Sequence, residues 1–139
     1  MPSEKPSSRN RVAKVARDKP SPLQAKTSVK NAGEKIRSLQ TDQLAVASGD
    51  RLVGTLKGKY PERKAAGFGH DPETTLVREI MSKGAYYCSQ DQTLDEAREI
   101  MREHHLQYLP VVDEQMRVVG MICMRDLAAI KQKQRREKV

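Results

Sequence analysis

The sequence predicts a mixed α/β (α+β) fold in which two copies of one β-α-β-β-α unit pack sheet to sheet about a pseudo-twofold axis. Three observations lead there. Ser28–Arg37 aligns with Thr93–Arg102 at an offset of 65 residues, Leu44-Ala-Val-Ala47 falls on Leu109-Pro-Val-Val112 at the same offset, and Arg51-Leu-Val-Gly54 falls on Arg117-Val-Val-Gly120 at 66. A repeat of this period marks one supersecondary unit used twice. Apolar residues in the second copy recur first at helical spacing and then in short strand-like runs. A unit of about 60 residues also buries too little surface to be stable alone, so two must share a core.

The elements follow in order. Residues 1–19 are rich in Ser, Pro, Lys and Arg, with small apolar residues only around Val12-Ala-Lys-Val-Ala16. Such a stretch offsets little of its ordering entropy by burial and is expected to be a basic flexible arm. Residues 20–72 form the first unit with its connector, whose Gly and Pro in Phe68-Gly-His-Asp-Pro72 mark a turn. Residues 73–130 form the second unit. Ala85-Tyr-Tyr-Cys88 reads as a short strand in which Tyr86 and Tyr87 face opposite sides. Thr93 and Glu96 form a capping box that opens a helix. Leu94, Ala97, Ile100 or Met101, and His104 give it one apolar stripe, and it fades near His105. Tyr108–Val112 and Val118–Ile122 read as strands around the turn Asp113–Gln115, and Asp126–Ile130 opens a last helix. Residues 131–139 form a basic C-terminal tail.

Composition limits the function classes. No apolar run approaches the ~20 residues that span a bilayer, and no apolar h-region follows the charged N-terminus, so neither a membrane span nor a secretory signal is expected. Cys88 and Cys123 match neither a disulfide framework nor a zinc spacing, which suits a reducing cytoplasm. The net charge of +8 sits at the ends: residues 1–26 carry +5, residues 131–139 carry +4, and the stretch between carries −1. A pI of 9.7 therefore describes the tails and not a basic fold. His104 and His105 are neighbours at a helix end and point about 100° apart, so with His70 they make no metal site. No catalytic residues are assigned, since no paired acid and base, activated nucleophile or metal-ligand cluster is present.

The phrases Val77-Arg-Glu-Ile-Met81, Thr93-Leu-Asp-Glu-Ala97, Leu109-Pro-Val-Val-Asp113 and Val119-Gly-Met-Ile-Cys-Met-Arg-Asp126, with the connector Gly69–Thr75, resemble the CBS domain, named after cystathionine β-synthase. The pair resembles a stand-alone tandem arrangement called a Bateman module, and the likeness covers about residues 20–130. The resemblance implies that the cleft between the units holds an adenosine-containing regulatory ligand: AMP, ADP, ATP or S-adenosylmethionine. It also implies a signature, Gly-x-hydrophobic-Thr/Ser-x-x-Asp, whose carboxylate accepts from a ribose diol.

Mapped onto the second copy, Asp126 would hold ribose, Arg125 would face phosphate, and Cys123 would stand at the hydroxyl position with weaker hydrogen-bonding capacity. Ile122, Tyr87, Cys88, Leu109 and Pro110 would line the base pocket. In the first copy Lys57 replaces the hydroxyl residue, Lys59 the Arg and Tyr60 the carboxylate. That pocket should not grip ribose, while Lys57 and Lys59 offer charge to phosphates of a ligand seated opposite. The bland readings are that Asp126 caps a helix, Cys123 is a small hydrophobe, and Lys57 and Lys59 line a solvated turn.

Two functions are expected. One is a non-catalytic regulatory module, paired as a homodimer, that binds an adenine nucleotide and signals to an unidentified protein partner. The alternative is an interaction module with vestigial ligand sites, docking onto nucleic acid, an acidic protein or an anionic membrane through its basic tails.

Overall fold

The computed structural model describes residues 11–137, with side chains described to Ile130. Among the described residues thirteen short elements divide between two compact units, and the division cuts across the order of the chain. One unit comprises Pro22–Tyr86 and Gln115–Val118. The other comprises Tyr87–Glu114 with the described parts of Met1–Ser21 and Val119–Val139. We call these the first-copy and second-copy units.

The first-copy unit holds a sheet ordered β1-β2-β3-β4, made of β1 (Leu23–Gln24), β2 (Gln43–Ser48), β3 (Arg51–Lys57) and β4 (Ser82–Lys83). Helix α1 (Val29–Ser38) lies between β1 and β2, α2 (Pro61–Gly67) follows β3, and α3 (Val77–Ile80) precedes β4. Ser28 caps α1 by accepting from the Asn31 amide at 3.2 Å, and Val29, Ala32 and Ile36 bury the apolar stripe. Pro61 opens α2, where its missing N–H is no loss.

The second-copy unit repeats this pattern with a sheet ordered β5-β6-β7: β5 (Cys88–Ser89), β6 (Tyr108–Val112) and β7 (Val118–Cys123). Helix α4 (Leu94–Glu103) carries the expected capping box, Thr93 accepting from the Glu96 amide at 3.1 Å while the Glu96 carboxylate accepts from the Thr93 amide at 3.0 Å. Leu94, Ala97 and Met101 are its buried stripe. The helix ends at Glu103, and His105 takes φ 55°, which stops it. The last helix, α5 (Met124–Glu137), starts two residues before the expected position and carries the basic tail's backbone as its continuation. The registers match across the repeat: Leu23 pairs with Val46 and Cys88 with Val111, both parallel.

Two expectations change. The strand expected at Ala85–Cys88 is only Cys88–Ser89; Gly84 turns at φ 88°, Tyr86 and Tyr87 lie outside any strand, and both are exposed. The flexible arm is also wrong for its described part, and its residues 1–10 lie outside the described residues. Val12–Lys14 form a 3₁₀ turn and Val12 is fully buried in a cluster with Cys88, Leu94, Met101, Leu109 and Ile122. The Val12 amide donates to the Gln92 carbonyl at 3.0 Å and the Ala13 amide to Gln90 at 3.3 Å. The backbones of Arg17 and Met121 exchange two hydrogen bonds at 3.0 and 2.9 Å.

This segment is the repeat's own beginning. Val12 aligns with Val77 at the 65-residue offset, and the Val77 and Arg78 amides donate to Thr27 and Ala25, the counterparts of Gln92 and Gln90. Arg17 bridges Met121 as Ser82 pairs with Thr55. The strap that precedes each copy's first strand thus completes the unit of the other copy. Gly54 and Gly120, the matching glycines of the two signatures, make room for it. A Cβ at Gly54 would collide with the Ser82 carbonyl, and one at Gly120 would stand 2.8 Å from Ala16 Cβ.

Candidate functional site

In the second-copy unit, β7 ends at Cys123 and α5 begins at once, which puts Asp126 in the helix's first turn. There a carboxylate is favoured by the exposed amides and the helix dipole. Its Oδ2 lies 3.4 Å from Arg17 Nε on the strap, with both side chains accessible. The two face a groove of about 490 Å³ with apolar walls of Val15, Ala16, Ala129 and Ile130 and a second cation, Lys14. That volume suits a nucleotide-sized ligand. Arg125 is exposed and lies outside the groove's lining.

Beside Asp126, the Tyr108 phenol titrates above its ordinary range. Burial is the main cause; the adjacent Cys123, which hydrogen-bonds with it, adds to the effect, and Arg125 opposes it. The expected base-pocket residues fare differently. Cys88, Leu109 and Ile122 are fully buried members of the unit's hydrophobic cluster, and Pro110 is buried with its carbonyl accepting from Cys88 Sγ at 3.8 Å. The expectation that these four line a ligand pocket is therefore corrected: their side chains are spent on the core, because β5 and β6 are covered by α4 and the strap. Burial also pushes the Cys88 thiol up to about 12, so it stays a neutral packing group. Tyr87 remains exposed.

In the first-copy unit the corresponding positions Lys57, Lys59 and Tyr60 are all exposed. Tyr60 lies between two guanidinium groups, Arg63 at 4.2 Å and Arg37 at 5.1 Å from its ring centre. Arg37 also forks onto Glu62 with bonds of 2.9 and 2.7 Å and donates to the Lys59 carbonyl at 2.9 Å. This bidentate bond holds the Glu62 carboxyl below its ordinary range. Gly33 on α1 admits that carboxylate, which would overlap any Cβ there. Lys57 instead lines a smaller groove of about 200 Å³ with Thr55, Ser82, Lys83 and Tyr86. Lys59 is exposed and outside it.

Sequence reasoning missed Lys14, Arg17 and Tyr108. The signal for the first two was available: the 65-residue offset carries Val12-Ala-Lys-Val-Ala16 onto Val77-Arg-Glu-Ile-Met81. Among the described residues no group of His, Cys, Asp and Glu could hold a metal ion, and no helix is long and apolar enough to cross a membrane.

Comparison with known proteins agrees with this architecture. The family model of the CBS domain matches residues 77–132. Hypoxic response protein 1 of Mycobacterium tuberculosis is 32% identical over 79 residues, 57% of this chain and 54% of that one. Inosine-5'-monophosphate dehydrogenase of Methanocaldococcus jannaschii is 29% identical over 99 residues, 68% of this chain and only 19% of the enzyme. The chain thus spans about half or less of the length of these relatives. Among solved structures, CBSX2 in complex with AMP superposes with a TM-score of 0.69 at 18% identity, over 91% of this chain and 98% of that one. The CBS domain pair of protein MJ0100, in complex with 5'-methylthioadenosine and S-adenosyl-L-methionine, gives 0.64 at 20% identity, over 89% and 97%. With its repeated unit, matching registers and exchanged straps, the chain has the fold of a CBS domain pair, and its second copy matches the CBS domain model.

Proposed function

We propose that this protein is a non-catalytic regulatory module that binds an adenosine-containing ligand through Asp126 and signals to a partner by a change of conformation. The observation that carries the reading is the Asp126 carboxylate, accessible in the first turn of α5 beside a groove of about 490 Å³. A carboxylate there can accept both hydroxyls of a ribose diol. Two proteins of the same fold hold such ligands, AMP in one and 5'-methylthioadenosine with S-adenosyl-L-methionine in the other, which makes adenosine compounds the class to test. Signalling requires the ligand to bind one conformation more tightly than another.

The test is thermal denaturation of the full chain with AMP, ADP, ATP and S-adenosylmethionine. A ligand at 100 times its dissociation constant should add about 2.7 kcal/mol of stability. If none of the four at millimolar concentration moves the melting temperature, the proposal fails.

A further inference from the structure

We infer that the strap of residues 14–17 reads the phosphate of the ligand, so that Lys14 and Arg17 select phosphorylated adenosines over adenosine itself and over S-adenosylmethionine. The inference rests on the adenosine reading above and adds the ligand class to it. Arg125, the cation that the family resemblance assigns to phosphate, lies outside the groove. Two others stand inside it. Arg17 is presented from a backbone fixed on both sides, its amide donating to the Met121 carbonyl at 3.0 Å and its carbonyl accepting from the Met121 amide at 2.9 Å. The guanidinium approaches Asp126 through Nε, at 3.4 Å, with the side chain largely exposed.

Lys14 closes the 3₁₀ turn at the same groove, and among the described residues no ion pair engages it. The groove lining therefore carries two cations against the single carboxylate of Asp126. Ribose hydroxyls bound to that carboxylate would place the sugar beside Arg17, with Lys14 lining the same groove. A phosphate there gains charge-assisted bonds. S-adenosylmethionine carries a sulfonium at the 5' position instead, which meets like charge.

Isothermal calorimetry on the full chain separates the outcomes, with adenosine, AMP and S-adenosylmethionine titrated into the unsubstituted protein and into R17A, R17K and K14A. For the unsubstituted chain, AMP should bind roughly tenfold or more tightly than adenosine, the yield of one partly exposed charge-assisted bond. R17A should weaken AMP by about tenfold and adenosine by less than about twofold, with K14A smaller in the same direction, and R17K should recover most of the loss. The preference for AMP should shrink as salt is raised. Equal affinities for adenosine and AMP in the unsubstituted chain would overturn the phosphate assignment and leave the adenosine reading intact. Equal weakening of both ligands by R17A would overturn it too, since Arg17 would then act only by positioning Asp126. Failure of all three compounds to bind the unsubstituted chain would overturn the adenosine reading itself.

Discussion

The two units share a backbone plan down to individual hydrogen bonds and differ in what they place where β3 and β7 hand over to a helix. In the second-copy unit that position is Asp126, open to a groove and touched by one loose ion pair. In the first-copy unit it is Tyr60, held between Arg37 and Arg63, with Arg37 locked to Glu62. The same corner is thus an accessible carboxylate in one copy and an exposed tyrosine ring stacked between two cations in the other. A duplicated scaffold constrains the glycines and the straps, which both copies keep. It leaves the corner free to serve ligand chemistry or stability.

The largest effect tests what the copies share. Removing residues 1–17 should destabilise the second-copy unit by roughly 3–5 kcal/mol, from the exposure of Val12 and its neighbours and the loss of the strap's backbone hydrogen bonds. Urea denaturation followed by circular dichroism reads this directly. A truncated chain as stable as the full one would show that the strap is a free arm after all.

Next come the two glycines. Gly54→Ala should cost more than Gly120→Ala, each on the order of 1–3 kcal/mol. The obstacle at Gly54 is the Ser82 backbone carbonyl, whereas at Gly120 it is the single methyl of Ala16. A neutral outcome at both positions would break the claim that they admit the straps.

The smallest effect sharpens the difference between the copies. Because Arg37 donates to it, Glu62 ionises below its ordinary value of 4.5. A folded-state pKa lowered in this way stabilises fully above the unfolded value, and the contribution is lost as pH falls through the folded one. Denaturation midpoints should therefore drop on acidification below about pH 4.5, and Glu62→Gln should flatten that limb. Glu96, lowered chiefly by its bond from the Thr93 amide, supplies a residual slope in both proteins. An unchanged slope in the variant would remove Glu62 from the account.

Local signals carried most of the fold into the sequence. The Thr93–Glu96 capping box, the stripe of Leu94, Ala97 and Met101, and the strand Tyr108–Val112 all lie within a few residues of their own cause, and each sits where expected. The strap did not show itself, because Val12 is buried by residues about 80 positions away, while the stretch before it is rich in Ser, Pro, Lys and Arg. Tyr86 and Tyr87 have strand propensity, but Gly84 turns the chain and both lie outside any strand. At Asp126 the sequence marked the start of the last helix to within two residues, and the ligand role came from the family resemblance. It was misread at Cys88, Leu109 and Ile122, since an apolar strand residue looks the same whether it faces a ligand or a core. Only the burial of β5 and β6 against α4 separates the two.

The central claim is that one copy keeps the ligand chemistry and the other has converted the same corner into structure. Its most direct test is the calorimetric stoichiometry of AMP binding in the full chain, in Asp126→Ala and in Tyr60→Phe. The account predicts one site per chain, none after Asp126→Ala despite a melting temperature without ligand that stays within a few degrees, and one still after Tyr60→Phe. Two sites per chain, or binding that survives Asp126→Ala, would contradict it.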